Sequence, residues 1–107
     1  MKSKHVLTIG DDNFEAEVLG SSAPFLLDFS ATWCGPCKAI DPVVTAVADE
    51  NVGTVRVGKI DIDEAPLVAR RLGIRAAPTL VVFKDGRESA RHVGTCNKAG
   101  LLALISR

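Results

Sequence analysis

Two thiols three positions apart, Cys34 and Cys37, stand in Trp33-Cys34-Gly35-Pro36-Cys37-Lys38, where an apolar run gives way to a helical pattern. That spacing lets them close a small disulfide ring and also stacks them on one helical face. The first turn of a helix carries backbone N–H groups with no internal partner, and the helix dipole adds partial positive charge there. Both effects favour a thiolate over a thiol. Cys34, the more N-terminal, is therefore expected to ionise more readily than an ordinary cysteine and to act as nucleophile. Pro36 suits a first turn, where a missing N–H is harmless. Gly35 leaves the sulfur approachable by another protein, and Lys38 adds positive charge nearby. The chemistry predicted is thiol–disulfide exchange.

Other residues are weaker candidates. Asp28 falls in an apolar run on the same side as Leu26 and Ser30. In a central strand its carboxyl would resist ionisation; at a frayed strand end it would be solvated and inert. Cys96 reads either as a small apolar filler or as a regulatory thiol open to glutathionylation or intermolecular disulfide formation. His5 and His92 have no catalytic context and are expected in solvent. Cys34, Cys37, His92 and Cys96 make an arithmetically possible CxxC…HxxxC zinc set. The proline inside the first pair and the lack of a second CxxC count against it, so no metal is expected. Haem attachment fails because Lys38, not histidine, follows Cys37.

The elements that position these groups follow from periodicity. Val6 to Ile9 reads as a first strand, and Asp11 or Asp12 is expected to cap a helix carrying Phe14, Val18 and Leu19, ended by Gly20-Ser21-Ser22. Phe25 to Phe29 is almost wholly apolar, as in a strand covered on both faces. A long helix then carries Ile40, Val43, Val44 and Val47, with Pro42 predicting a kink near Lys38. Val55 to Ile60 is the next strand. Asp63 is expected to cap a short helix with Leu67, Val68 and Leu72, closed by Gly73. Thr79 to Phe83 and Ser89 to Val93 flank Lys84-Asp85-Gly86-Arg87, a hairpin signal. Asn97 can cap a last helix with Leu101, Leu102 and Ile105. The order βαβαβαββα predicts an α/β fold: a central mixed sheet with helices on both faces and the strand before Cys34 near its middle. Ligand chemistry in such sheets gathers at the carboxyl ends of strands, where Cys34 falls.

Composition bounds the function. The chain has 107 residues, 47% of them apolar, enough for a single domain over 1–107 with one core. Thirteen basic and thirteen acidic residues cancel, which argues against nucleic acid or an anionic membrane surface as partner. No run approaches the roughly eighteen apolar residues of a membrane span. The apolar stretch after Met1-Lys2-Ser3-Lys4-His5 is too short for a signal-peptide core, so a cytoplasmic location is expected. Three cysteines are too few, and odd in number, for a secreted disulfide scaffold. In a reducing compartment a CxxC pair points instead to redox or metal chemistry.

Taken together, Trp33-Cys34-Gly35-Pro36-Cys37-Lys38, the preceding Asp28-Phe29 and the distant Ala77-Pro78-Thr79 resemble the active-site signature of the thioredoxin family, bacterial type. The likeness runs in order from roughly Thr8 to Ile105. That family is itself a reference case for the acidity and redox poise of CxxC thiols, so agreement there carries no separate weight. The resemblance implies a general protein-disulfide reductase of thioredoxin fold. Cys34 would attack a client disulfide and Cys37 would resolve the mixed disulfide, with Asp28 as its proton acceptor and Lys59 as partner of Asp28. It also implies a cis Ala77-Pro78 bond facing the cysteines. On sequence alone Pro78 is a proline opening a strand, and Gly94 is either an ordinary strand-end glycine or part of the same groove. Trp33, Gly35, Pro36, Ala77, Pro78 and Gly94 would together contact clients, with Ala77 offering backbone groups to an extended segment. The implied partners are disulfide-bearing proteins and a thioredoxin reductase; a monomer with no cofactor is expected. An oxidase or isomerase on the same fold is the alternative, disfavoured by Gly-Pro between the cysteines. A non-catalytic subunit role remains open as a second function. Many members carry an aromatic residue where Ser30 stands and a bulky aliphatic where Ala77 stands. Both departures shrink the apolar surface near the site and bear on client range and reductase affinity.

Overall fold

Six consecutive buried residues, Phe25–Ser30, form strand β2, with Phe25, Leu27 and Phe29 on one face and Leu26, Asp28 and Ser30 on the other. A strand buried on both faces must lie inside a sheet. The structure, a computed structural model, describes residues 3–107; Met1 and Lys2, the start of the basic opening, lie outside the described residues. β2 is the middle strand of five. The others are β1 (Val6–Ile9), β3 (Arg56–Asp61), β4 (Thr79–Lys84) and β5 (Arg87–Val93), in spatial order β1-β3-β2-β4-β5. β1, β3 and β2 run parallel, while β4 is antiparallel to β2 and β5 to β4. The hairpin turn is Asp85-Gly86, both with positive φ (53° and 77°), the backbone that a two-residue turn between twisted strands demands.

Helices α1 (Gly35–Glu50) and α3 (Lys98–Ile105) cover one face. There Leu26, Val57, Leu80 and Val82 of the sheet meet Ile40, Val44, Val47, Leu101 and Leu104. Helix α2 (Pro66–Arg71) and a π-helical segment, Glu15–Leu19, cover the other, where Phe14, Val18 and Val68 meet Phe25, Phe29 and Phe83. The α/β order and the two-sided covering match the expectation. α1 runs on through Pro42, whose missing N–H leaves the Lys38 carbonyl without its usual donor.

Local details differ from the expectation in instructive ways. The segment after Asp11-Asp12 is one π turn, with Gly20 N–H donating to Glu15 O at 2.9 Å, and no side chain caps it. Asp11 instead accepts from the N–H groups of Leu67 and Val68 (3.2 and 2.9 Å), capping α2 from across the sequence. Asp63 is thereby not the cap of α2. The carboxylate of Asp11 satisfies donors that helix starts leave open, wherever in sequence it originates. Gly73 closes α2 as expected: its N–H donates to Arg70 O and the Ile74 N–H to Ala69 O, the paired bonds of a Schellman end. Asn97 caps α3 by accepting from Gly100 N–H at 2.8 Å. Of the expected apolar stripes, Leu67 and Leu102 turn out to solvent (64% and 39% exposed) while Leu104 turns in. In α3 the inward face follows the helical spacing Leu101, Leu104, Ile105.

Candidate active site

Cys34 is the N-cap of α1. Its backbone is extended (φ −96°, ψ 110°), and its Sγ accepts from the Cys37 N–H at 3.2 Å. An N-cap atom that accepts from the first turn is where negative charge is best tolerated, because it meets both the open N–H groups and the positive end of the dipole. Gly35 and Pro36 begin the helix and are exposed. A disulfide joins Cys34 to Cys37, their Cα atoms 5.3 Å apart, within the span such a bond requires. Cys37 lies one turn on and is more deeply buried (1% exposed against 4%).

Ala77 and Pro78 come to Cys34 from 43 residues away. The bond between them is cis, and the Ala77 carbonyl oxygen lies 3.4 Å from Cys34 Sγ. The disulfide sulfur has no proton to give; the reduced thiol can donate to that oxygen. Pro78 is buried, and its carbonyl accepts from Gly94 N–H at 2.8 Å. Gly94 has φ +96°, a backbone that side chains strain. It is thus a conformationally required glycine that adjoins Pro78. Trp33 is 67% exposed, and its Nε1 donates to Asp63 Oδ2 at 2.8 Å. That bond is what Asp63 does in place of capping α2. Val93, 60% exposed and in register with Thr79, adds apolar surface beside Pro78 and Gly94. Nothing in the sequence singled it out, although its place at the strand end next to Gly94 is a usable signal.

The other side of the disulfide is built from charge. Asp28 is fully buried on the face that α1 covers, and neither carboxyl oxygen has a hydrogen-bond partner among the described residues. Burial pushes its pKa up from its ordinary 3.8 to about 7; the ammonium of Lys59 works against this and the carboxylate of Asp41 adds to it. Lys59 stands opposite Asp28 in register. The expected pairing of these two is not made as a hydrogen bond. The Lys59 Nζ is taken by Asp41 Oδ1 at 2.7 Å, both side chains about two-fifths exposed. A lysine that reaches toward solvent keeps its ammonium hydrated, which a fully buried pair would forfeit.

A cleft of about 560 Å³ opens beside Cys37, lined also by Ser30, Lys38, Asp41, Lys59 and Asp61. None of Trp33, Cys34 and Pro78 lines it. Cys37 therefore borders a cleft that carries the charged groups Lys38, Asp41, Lys59 and Asp61, and Cys34 does not. The small Ser30, buried at 5% exposure, forms part of the cleft wall, and Ala77 is half-buried beside the thiols.

The remaining candidates sort out plainly. Among the described residues no group of three or more His, Cys, Asp or Glu is placed to hold a metal ion. The four residues of the arithmetical zinc set are thus not gathered. His92 is half-buried with its Nε2 3.1 Å from Thr95 O, and His5 pairs with Asp49 at 2.8 Å, so neither is simply solvated. Cys96 packs against the α1–α3 core, and burial pushes its thiol pKa up, the surroundings of a filler. Among the described residues no helix is long and apolar enough to cross a membrane.

Comparison with known proteins agrees with this geometry. The family model described as Thioredoxin matches residues 5–107. The chain is 47% identical to a thioredoxin of Acidithiobacillus ferridurans over 103 residues, covering 96% of this chain and 95% of that one. It is 42% identical to a thioredoxin of Pseudomonas aeruginosa with the same coverage. A thioredoxin of Mycolicibacterium smegmatis is 45% identical over 94% of this chain and 91% of its own.

Proposed function

The chain belongs to the thioredoxin family and is a protein-disulfide oxidoreductase, and we propose that it works as a general dithiol reductant through the following steps. The Cys34 thiolate attacks one sulfur of a client disulfide. The client S–S bond breaks, a Cys34–client bond forms, and the released client sulfur takes up a proton. Cys37 then gives its proton to Asp28 and attacks Cys34 Sγ. The mixed disulfide breaks, the second client sulfur leaves as a thiolate and takes up the proton that Asp28 gives back, and Cys34–Cys37 is oxidised, so two electrons have passed to the client. A thioredoxin reductase restores the dithiol.

The observation that carries this reading is the position of Cys34 as N-cap, with its sulfur accepting from the first helical turn while bonded to Cys37. Asp28 suits the resolving step because a carboxyl with a pKa of about 7 divides between its two forms near neutrality, where an acid–base catalyst works best. Trp33, Gly35, Pro36, Val93 and Gly94 surround Cys34 with an open, partly apolar edge, and the Ala77 backbone offers hydrogen-bonding groups to an extended client segment. Lys59 acts on Asp28 through space. The unit spans 1–107 as one domain, works in the cytoplasm as a monomer, and needs no cofactor beyond its own disulfide.

The test is reduction of insulin disulfides by dithiothreitol, followed by turbidity, for wild type, Cys34→Ser and Cys96→Ser. The reading requires that Cys34→Ser abolish catalysis and that Cys96→Ser retain it. Full activity in Cys34→Ser would refute it.

A further inference from the structure

Asp41 belongs to neither the thiol pair nor the surface that meets clients, yet it stands at the cleft that Cys37 borders, within electrostatic reach of the buried carboxyl. It is four residues beyond Cys37 in α1, which puts it on the same helical face. It lines the same cleft as Cys37, and it holds the Lys59 ammonium at 2.7 Å. Lys59 is the residue directly opposite Asp28 on β3, and Asp28 has no hydrogen-bond partner of its own among the described residues.

We propose that Asp41 is a positioning residue for the resolving step: by holding the Lys59 ammonium at the cleft, it withholds from Asp28 the cation that stands opposite it, and so keeps that carboxyl a proton acceptor. The physical argument is a competition. A lysine stem of four carbons can direct its ammonium toward either of two carboxylates. The buried one would gain a charge-assisted bond that stabilises its anion and weakens it as a base. The half-exposed one offers the same bond while leaving the ammonium partly in water, so it wins. Asp41 also places a second negative charge near Asp28, which acts in the same direction.

The other groups around Asp28 leave this competition as the adjustable element. From α1, which covers this face of the sheet with Ile40 and Val44, the charge that acts on it is Asp41, and Cys37 is the titratable thiol on the same helix. From β3 comes Lys59; from β4, Leu80 in register; and beyond Leu80 on β5, His92, whose ring is against Thr95 O. β1 contributes Thr8, beyond Lys59. Lys38, Asp61 and Glu64 line the cleft itself.

This inference rests on Asp28 serving Cys37 as base, but its test does not need that step. The Asp28 carboxyl carbon is titrated by NMR in the oxidised protein, where neither Cys34 nor Cys37 titrates. The variants are Asp41→Ala, Asp41→Glu, Lys59→Met and the double variant Asp41→Ala with Lys59→Met. In Asp41→Ala the midpoint should fall by about half a pH unit or more, roughly a threefold loss of proton affinity. Asp41→Glu should stay near wild type and Lys59→Met should raise the midpoint. With Lys59 already replaced, Asp41→Ala should shift it by less than half as much. An unchanged or raised midpoint in Asp41→Ala overturns the proposal. So does an equal fall with and without Lys59, which would make Asp41 a direct charge and nothing more. If instead the titrations behave as expected while the resolving rate ignores them, the base role of Asp28 fails and the placement of Lys59 stands.

Discussion

Cys34 and Cys37 share a bond and a small apolar cluster with Ala31, Ile62 and Ala77, but beyond it their surroundings differ. Around Cys34 the groups are backbone and apolar edge: the cis Ala77-Pro78 bond, the Gly94 N–H on Pro78 O, and the exposed Trp33 and Val93. Around Cys37 they are charges in graded burial, from Asp28 with no exposure to Lys59 and Asp41 at the cleft. On the proposed mechanism, the contrast teaches how one disulfide would serve two steps. The first step must accept many clients, and backbone hydrogen bonds with apolar contact read no particular side chain. The second is intramolecular and always the same, so it can be tuned by a fixed electrostatic arrangement.

Replacing Cys37 should break the comparison most completely. Cys37→Ser should still attack but fail to resolve, so a client remains bound through Cys34, and mass spectrometry of the non-reduced adduct reads the trap. No adduct, or one through Cys96, would mean that the two thiols do not divide the work as described.

Asp28 gives the next largest effect, on stability. Its pKa is raised in the fold, so the folded state holds a proton that the unfolded chain has released between about pH 4 and 7. Stability from this group is therefore greatest below pH 4 and declines as pH rises through that window, with the full cost present above 7. Asp28→Asn removes the cost. The oxidised variant should gain at most about 4 kcal/mol at pH 8 and little at pH 4 in urea unfolding. A gain independent of pH would contradict the burial account.

The same variant should slow the resolving step about 100-fold at pH 7 while leaving the first attack nearly unchanged, measured by single-turnover kinetics with a client disulfide. Equal slowing of both steps would erase the boundary between the two neighbourhoods. The smallest effects belong to the open edge. Trp33→Ala and Val93→Ser should each raise KM for a protein client roughly threefold to tenfold, with kcat little changed. A shifted pH profile in either would show that edge and cleft are not separate.

Much of this arrangement was legible in the sequence. Apolar periodicity located the strands and helices, and an Asp inside an apolar strand announced a strained carboxyl. Asn97 could be named as a cap because its partner Gly100 is three residues away. Asp11 and Asp63 read in sequence as caps of the helices that follow them, but their actual partners, Leu67 and Trp33, lie 56 and 30 residues off, across contacts that only the folded chain creates. The resemblance offered Lys59 as the partner of Asp28, and strand register does set them opposite. It could not show that a second carboxylate competes for the ammonium. The signal was present in the four-residue spacing of Cys37 and Asp41, but it gains meaning only once the cleft is seen.

The most direct measurement is the pH dependence of alkylation of the reduced protein by iodoacetamide, with peptide mapping to assign each thiol. The account predicts that Cys34 reacts first, with an apparent pKa clearly below that of free cysteine, and that Cys37 lags throughout. If Cys34 titrated as an ordinary thiol or reacted no faster than Cys37, the helix start would confer no advantage and the account would fail.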